Sequence, residues 1–350
     1  MNNLYCQIAG FLAPLINLSP LVLRIRITTK CNLSCSFCYL KSGLNREEEG
    51  NLDIEEWKKV FSNLPRRTIV DLTGAEPLMY KDIREFIKIL CEKKIKYSMT
   101  TNGTVYNGLT AREIVENRLY VLMVSLDGLE GVHDKLRGRS GAFERTVRFI
   151  REIEQEKIRQ NTKYPFINIK TTVLDENVHE LEGLLNELGK SIPCNTLTLS
   201  LLFQNRARGG MELFEDYGVD ELRKGNTAQY TKKAEVKKFF SSLNYSEHVN
   251  GYSVSIRPRM NKKDIFHYID SPPSMEVESC PLYKNTLTLY FDGKISPCDI
   301  SLNLGNIRDH GYNMKNTFNG IRYKNFISLF KSGDRACEGC CSGQHTLKRS

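Results

Sequence analysis

Residues 21–28 alternate apolar and basic side chains, with Leu21, Leu23, Ile25 and Ile27 set against Arg24 and Arg26. A period of two predicts a strand. Short β-branched or alternating runs predict further strands over 68–72, 95–101, 120–126, 166–174 and 196–203. Between them, apolar spacings of three and four predict helices over 54–63, 81–93, 111–117, 142–160 and 178–188, the first capped by Asp53. Strands alternating with helices predict a parallel sheet with right-handed crossovers, an α/β architecture. Residues 211–279 are charged and polar, with Pro272 and Pro273 near their end, and read as linker and cover. A strand-like run over 286–291, the turn signal Asp292-Gly293 and a returning run over 295–298 predict a hairpin. Residues 1–20 read as an extension packed across one end of the sheet.

Composition narrows the function classes. A chain of 350 residues suits one large domain with a smaller one. The net charge of +9 is spread along the chain, with no zinc finger, RNA-binding aromatic motif or repeat, which speaks against nucleic acid. A solvated surface or an acidic substrate is the simpler reading. The apolar stretch 11–23 is broken by Pro14 and Pro20 and is too short to span a bilayer, and no signal peptide opens the chain. No membrane partner is expected, and eleven cysteines in a chain of this size point to a reducing cytoplasm with thiols kept for metal.

Three of those thiols, Cys31, Cys35 and Cys38, follow the first strand at CxxxCxxC spacing. The polar Lys30, Asn32, Ser34 and Ser36 around them suit a loop rather than a core helix. A structural zinc wants four ligands. Three thiolates suit a 4Fe-4S cluster with one iron open to a small molecule. Other polar or small residues fall at successive strand ends: Gly74 and Glu76, then Asn102, then Ser125 and Asp127. Strand C-terminal ends are where α/β barrels carry their chemistry, so these loops are expected to converge on one mouth.

The cysteine loop resembles that of the radical S-adenosylmethionine (SAM) superfamily. Thr73-Gly74-Ala75-Glu76-Pro77 resembles that family's Gly-Gly-Glu-Pro motif, with Ala75 in place of the second glycine. The resemblance implies a partial (β/α)6 barrel over residues 21–210. It implies Cys31, Cys35 and Cys38 as ligands of a SAM-binding 4Fe-4S cluster, with Tyr39 the aromatic that follows. Gly74 and Glu76 would then hold the SAM amino group. Asn102, Ser125 and Asp127 would reach the ribose and the methionyl end, and Arg137 would pair the carboxylate. One electron would split the sulfonium, and the resulting 5′-deoxyadenosyl radical would take a hydrogen atom from substrate.

A second cysteine set closes the chain. Cys280, Cys298, Cys337 and Cys340 could gather four thiolates round one metal, and a zinc ribbon in a non-enzymatic regulator suits that pattern too. The set resembles the twitch domain, the shortened SPASM extension, a small α+β unit over residues 280–350. That resemblance implies one auxiliary 4Fe-4S cluster, two in all with the SAM-binding one. The chain ends nine residues after Cys341 without the further cysteines a second auxiliary cluster would need. The leftover Cys91 reads as core, and Cys194 as lying at the N-terminal end of a strand. Relatives of this type oxidise, crosslink or epimerise peptides, or act on small polar molecules such as aminocyclitols. The expected partners are a peptide or small polar substrate and a flavodoxin- or ferredoxin-type electron donor. With only 30 residues before Cys31, a separate peptide-recognition protein is a further expected partner. Oxidation or crosslinking of a peptide is the favoured reading.

Overall fold

The computed structural model describes residues 20–38, 40–46, 50–106, 108–201, 230–243, 251–257, 260–270, 277–279, 286–297, 303–331 and 346–347. Its centre is a nine-stranded sheet. Strands β1 (Val22–Arg26), β2 (Ile69–Thr73), β3 (Lys96–Thr101), β4 (Val121–Ser125), β5 (Phe166–Thr172) and β6 (Thr196–Ser200) are those that the sequence periodicity predicts. They lie side by side in chain order, all parallel. The helices between them are α1 (Ile54–Ser62), α2 (Ile83–Glu92), α3 (Ala111–Glu116), α4 (Glu130–Arg137), α5 (Ala142–Arg159) and α6 (Leu181–Glu187). Right-handed crossovers in unbroken order place these six helices on one face of the sheet, and among the described residues none of them covers the other, open face.

The side chains sort accordingly. Leu23, Ile25, Val70, Leu72, Met99, Leu122, Val124, Ile167, Ile169, Leu197 and Leu199 are buried and form one core with the helices' apolar stripes. The opposite positions in the same register are mostly polar: Arg24, Asp71, Ser98, Asn168, Lys170 and Thr198. Local caps fix where two helices begin. Asp53 and Glu56 form a reciprocal capping box on α1, and Thr110 and Glu113 do the same on α3. Trp57, Phe61 and Phe86 meet edge-on and stacked, with centroids 5.2–5.8 Å apart, and join α1 to α2.

Three strands extend the sheet beyond the expected six-strand barrel. Ser253–Arg257 forms β7, parallel to β6, within the region read as linker. Its alternation of Ser253, Ser255 and Arg257 with Val254 and Ile256 is strand periodicity, but only five residues long and embedded in polar sequence. After β7 comes α8 (Lys262–Asp270), packed on α7 (Lys233–Ser242). A short strand β8 (Val277–Ser279) pairs with the last one, β11 (Thr346–Leu347), in a separate two-stranded sheet. At the other edge of the main sheet, β9 (Thr286–Tyr290) pairs parallel with β1 and antiparallel with β10 (Ile295–Ser296). The expected hairpin therefore forms, and it joins the barrel sheet. Its turn needs Gly293 at φ +86°, where a Cβ would lie 2.6 Å from the Asn306 side chain. The helices α9 (Met314–Asn319) and α10 (Ile321–Lys331) follow it.

Arg308 locks this hairpin to the start of α1. Its guanidinium donates to both Glu56 carboxylate oxygens (2.6 and 2.9 Å) and to the carbonyls of Gly50, Asn51 and Asp292. Tyr312 donates to Glu56 at 2.9 Å. These donors hold the Glu56 carboxyl down to about 2 from an ordinary 4.5. Because the folded value is the lower one, the stabilisation is full above pH 4.5 and is lost as the pH falls through about 2. Arg308→Met is expected to cost about 2 kcal/mol, since charge-assisted bonds are lost and acceptors left unpaired. In urea melts, the stability gap between the wild type and Glu56→Gln should shrink between pH 4.5 and 2. A constant gap would contradict this.

Candidate active site

The cysteine loop leaves the C-terminal end of β1 with no regular structure of its own, so its backbone is held from outside. The β2 turn holds its start: Ala75 N donates to Thr28 O and Glu76 N to Lys30 O, both at 2.9 Å. This close approach explains Gly74, where a Cβ would sit 3.1 Å from Thr28 O. Asn45 brackets the first cysteine, accepting from Cys31 N (2.9 Å) and donating to Cys31 O (3.1 Å). The end of α4 holds the middle: Ser34 N donates to Arg137 O and Ser36 N to Leu136 O. Gly138 then turns the chain at φ +67°, and a Cβ there would fall 2.3 Å from Ser34 Oγ and 2.9 Å from Ser34 O.

Glu76 joins β2 to β3 inside the molecule. It is buried, and its carboxylate accepts from Leu78 N (3.1 Å), Thr101 Oγ1 (2.7 Å) and Asn102 N (2.8 Å). Burial raises its pKa, against the lowering effect of those three donors. Asn102 continues the chain of contacts. Its Nδ2 donates to Asn32 Oδ1 (2.9 Å), and its Oδ1 accepts from Thr104 N and Thr104 Oγ1. Asn32 Nδ2 donates to Thr104 Oγ1 at 2.8 Å, closing a ring between the cysteine loop and the end of β3.

Asp127 and Arg137 form the other side. Asp127 is buried, accepts from Thr172 N at 2.8 Å and pairs with the Arg137 guanidinium. Arg137 lies over the Phe37 ring, 5.3 Å from its centroid, and Nη1 donates to Cys35 Sγ at 3.6 Å. His133 accepts from Asp127 N at Nδ1 (3.1 Å), and burial, aided by the charge on Arg137, pushes its pKa down to about 3. It is thus a neutral spacer with its proton on Nε2. Ser125 stands half-buried at the C-terminal end of β4.

The structure thus brings Cys31, Cys35, Cys38, Gly74, Glu76, Asn102, Asp127 and Arg137 into one hydrogen-bonded region at the strand C-terminal ends. Tyr39 lies outside the described residues, as do Cys280, Cys298, Cys337, Cys340, Cys341 and residues 1–19. Cys91 donates to Asn117 O against the core, and Cys194 precedes β6 with its thiol pushed up to about 12 by burial. Sequence reasoning missed Asn32, Asn45, Thr104 and Gly138. Each is an ordinary turn residue by type, and only its distant partner reveals its function.

Cys31, Cys35 and Cys38 lie on one loop, and three thiols are the donor set that a 4Fe-4S cluster with one open iron takes. Among the described residues, no group of three His, Cys, Asp or Glu side chains is placed to hold a single metal ion. Burial raises the Cys31 thiol to about 11 and also raises Cys38. A bound cationic group is what would hold these as thiolates, and Arg137 adds positive charge on the Cys35 side.

Residues 25–188 match the model of the radical SAM superfamily, and residues 280–341 match that of an iron-sulfur cluster-binding domain, SPASM. These two domains imply 4Fe-4S clusters. The chain is 28% identical to the Fe-coproporphyrin III synthase of Methanosarcina barkeri over 56% of this chain and 47% of that protein. It is 32% identical to the sporulation killing factor maturation protein SkfB of Bacillus subtilis over 48% of this chain and 39% of that protein. It thus spans less than half the length of these relatives. A structure of native anSMEcpe with bound AdoMet and Cp18Cys peptide superposes with a TM-score of 0.59 over 89% of this chain and 83% of that one, at 21% identity. That likeness is one of fold.

Gly138→Ala tests whether the α4 turn shapes the cysteine loop. The positive φ alone costs about 1–3 kcal/mol with a side chain. Ser34 O cannot retreat without moving the loop. Anaerobically reconstituted Gly138→Ala should bind less iron at Cys31, Cys35 and Cys38 than wild type, with the sheet's circular dichroism intact. Adding Ser34→Ala should restore only part of it. Full iron loading in Gly138→Ala would contradict the assignment.

Proposed function

We propose that this chain, which belongs to the radical SAM superfamily and carries a SPASM-type cluster-binding domain, modifies a peptide oxidatively or by crosslinking. The observation that carries the proposal is the cysteine loop, tied by hydrogen bonds to the ends of β2 and β3, to the end of α4 and to the Arg137 side chain. In this reading Cys31, Cys35 and Cys38 hold one 4Fe-4S cluster. Cys280, Cys298, Cys337 and Cys340 hold an auxiliary one, and the domain boundaries follow the division at residues 20, 210 and 279. When bound, the first cluster supplies the electron that splits SAM into methionine and the 5′-deoxyadenosyl radical, which takes hydrogen from a substrate C–H bond.

The protein's own part is to bind and to orient. Gly74, Glu76, Asn102, Ser125, Asp127 and Arg137, with Tyr39, are proposed to surround SAM. The β2 turn would present backbone to the SAM amino group while Glu76 braces that turn against β3. Arg137, fixed by Asp127, would present its remaining donors to the SAM carboxylate. The Asn32–Asn102–Thr104 ring, with Asn102 and Thr104 buried, would keep the loop from relaxing when the cluster changes charge. A peptide substrate is supported by the name of the SkfB relative, a maturation protein, and by the peptide seated in the anSMEcpe structure. A flavodoxin- or ferredoxin-type donor would reduce the cluster. Among the described residues, no helix is long and apolar enough to cross a membrane. A cytoplasmic setting is part of the proposal.

The test is reductive cleavage of SAM. Reconstituted wild type with dithionite should release 5′-deoxyadenosine, and replacing Cys31, Cys35 and Cys38 by Ala should abolish it while leaving the iron of the C-terminal set. Undiminished 5′-deoxyadenosine from the triple variant would refute the proposal.

A further inference from the structure

Among the described residues, Cys35 is the only one of the three loop cysteines whose sulfur meets a charged side chain within hydrogen-bond distance. Arg137 Nη1 donates to its Sγ at 3.6 Å, a bonding distance given the larger radius of sulfur. The contact is held from several sides. Ser34 N and Ser36 N donate to Arg137 O and Leu136 O, so two backbone bonds straddle Cys35 and set it against the end of α4. The guanidinium lies over the Phe37 ring, 5.3 Å from its centroid, and Nη2 pairs with Asp127. Asp127 is itself fixed: it accepts from Thr172 N at 2.8 Å, and its own N donates to His133 Nδ1 at 3.1 Å.

The acid and the sulfur thus take different nitrogens of one planar group, and the positive partner of the pair faces the sulfur. Arg137 Nε is buried and without a hydrogen-bond partner, so a donor remains for the SAM carboxylate. Cys35, Arg137 and Asp127 are 9%, 8% and 0% exposed, which leaves little water to screen the charge. Charge-assisted bonds are strong in such a place. Reduction adds one negative charge to an iron-sulfur cluster, and hydrogen bonds to its sulfurs help set its potential.

We infer that Arg137 tunes the reduction potential of the loop cluster through a charged N–H···S bond to Cys35, a role separate from gripping SAM. The inference rests on the proposal above that Cys31, Cys35 and Cys38 hold a 4Fe-4S cluster. The bond favours the reduced cluster, which carries the added charge, and so raises the potential at which the flavodoxin- or ferredoxin-type donor can deliver its one electron.

The experiment is potentiometry on the reconstituted holoprotein without SAM, followed by electron paramagnetic resonance. The signal lost when Cys31, Cys35 and Cys38 are replaced by Ala marks the loop cluster, and the C-terminal set serves as internal reference. Arg137→Met should lower the loop cluster's midpoint potential by at least about 59 mV, a tenfold change for one electron. Iron content, circular dichroism and the reference potential should stay unchanged. Arg137→Lys should keep more than half of the difference, because its charge still reaches the sulfur. Pulsed resonance on wild type carrying nitrogen-15 arginine should show a coupling to the loop cluster that Arg137→Lys removes. That coupling decides the matter if Arg137→Met takes up no iron. A loop cluster with the same potential in wild type and Arg137→Met, or with no coupling to arginine nitrogen, overturns the inference and leaves the proposed function standing. A wild type with no cluster in the loop overturns the proposed function, and the inference with it.

Discussion

The backbone bonds between the β2 turn and the residues leading into the cysteine loop are what the site depends on. Ala75 N to Thr28 O and Glu76 N to Lys30 O carry the β1–β2 pairing past the strands' ends. They fix the direction in which the loop leaves the sheet. Everything downstream inherits that direction: Asn45 around Cys31, the asparagine ring to β3, and the end of α4 under Ser34 and Ser36. A loop with no ladder of its own would otherwise leave polar backbone groups unpaired in a half-buried place, at a cost of about 1–3 kcal/mol each. The residues of the Gly-Ala-Glu-Pro turn are therefore braces as well as neighbours of the proposed ligand. The small Gly74 permits the contact, and the buried Glu76 carries the bracing on to Thr101 and Asn102.

Much of this is legible in the sequence because it rests on local rules. The alternation in Leu21–Thr28, the Asp53 cap and the Asp292-Gly293 turn each record a backbone preference at the place where it acts. The cysteine spacing and the polar residues at strand ends are likewise short-range marks. What is not legible is long-range. Nothing in Ser253–Arg257 says that it joins β6, and nothing in Thr286–Tyr290 says that it joins β1 from the other end of the chain. The helix α4 was not foreseen either, since its eight residues carry few apolar positions, yet its last carbonyls hold the cysteine loop. Asn32 and Asn45 read as turn formers until their partners are known.

The two edge additions also widen the sheet. With β7 at one edge and β9 with β10 at the other, the sheet is nine strands wide. Among the described residues, the apolar face is covered by helix packing. On the outer surface, Arg84–Glu113, Arg112–Glu116 and Arg148–Glu152 pair locally along or between helices. Such exposed pairs contribute little to stability. On the sheet itself, Asp71 accepts from Arg24 and from Ser98.

The central claim is that the cysteine loop holds a cluster whose open iron takes SAM, and electron paramagnetic resonance of the reduced protein tests it most directly. The account predicts a 4Fe-4S signal that changes shape when SAM is added. That change should disappear when Cys31, Cys35 and Cys38 are replaced by Ala, while any signal from the C-terminal set stays indifferent to SAM. A reduced protein whose signal ignores SAM, or one that binds stoichiometric zinc without sulfide, would contradict it.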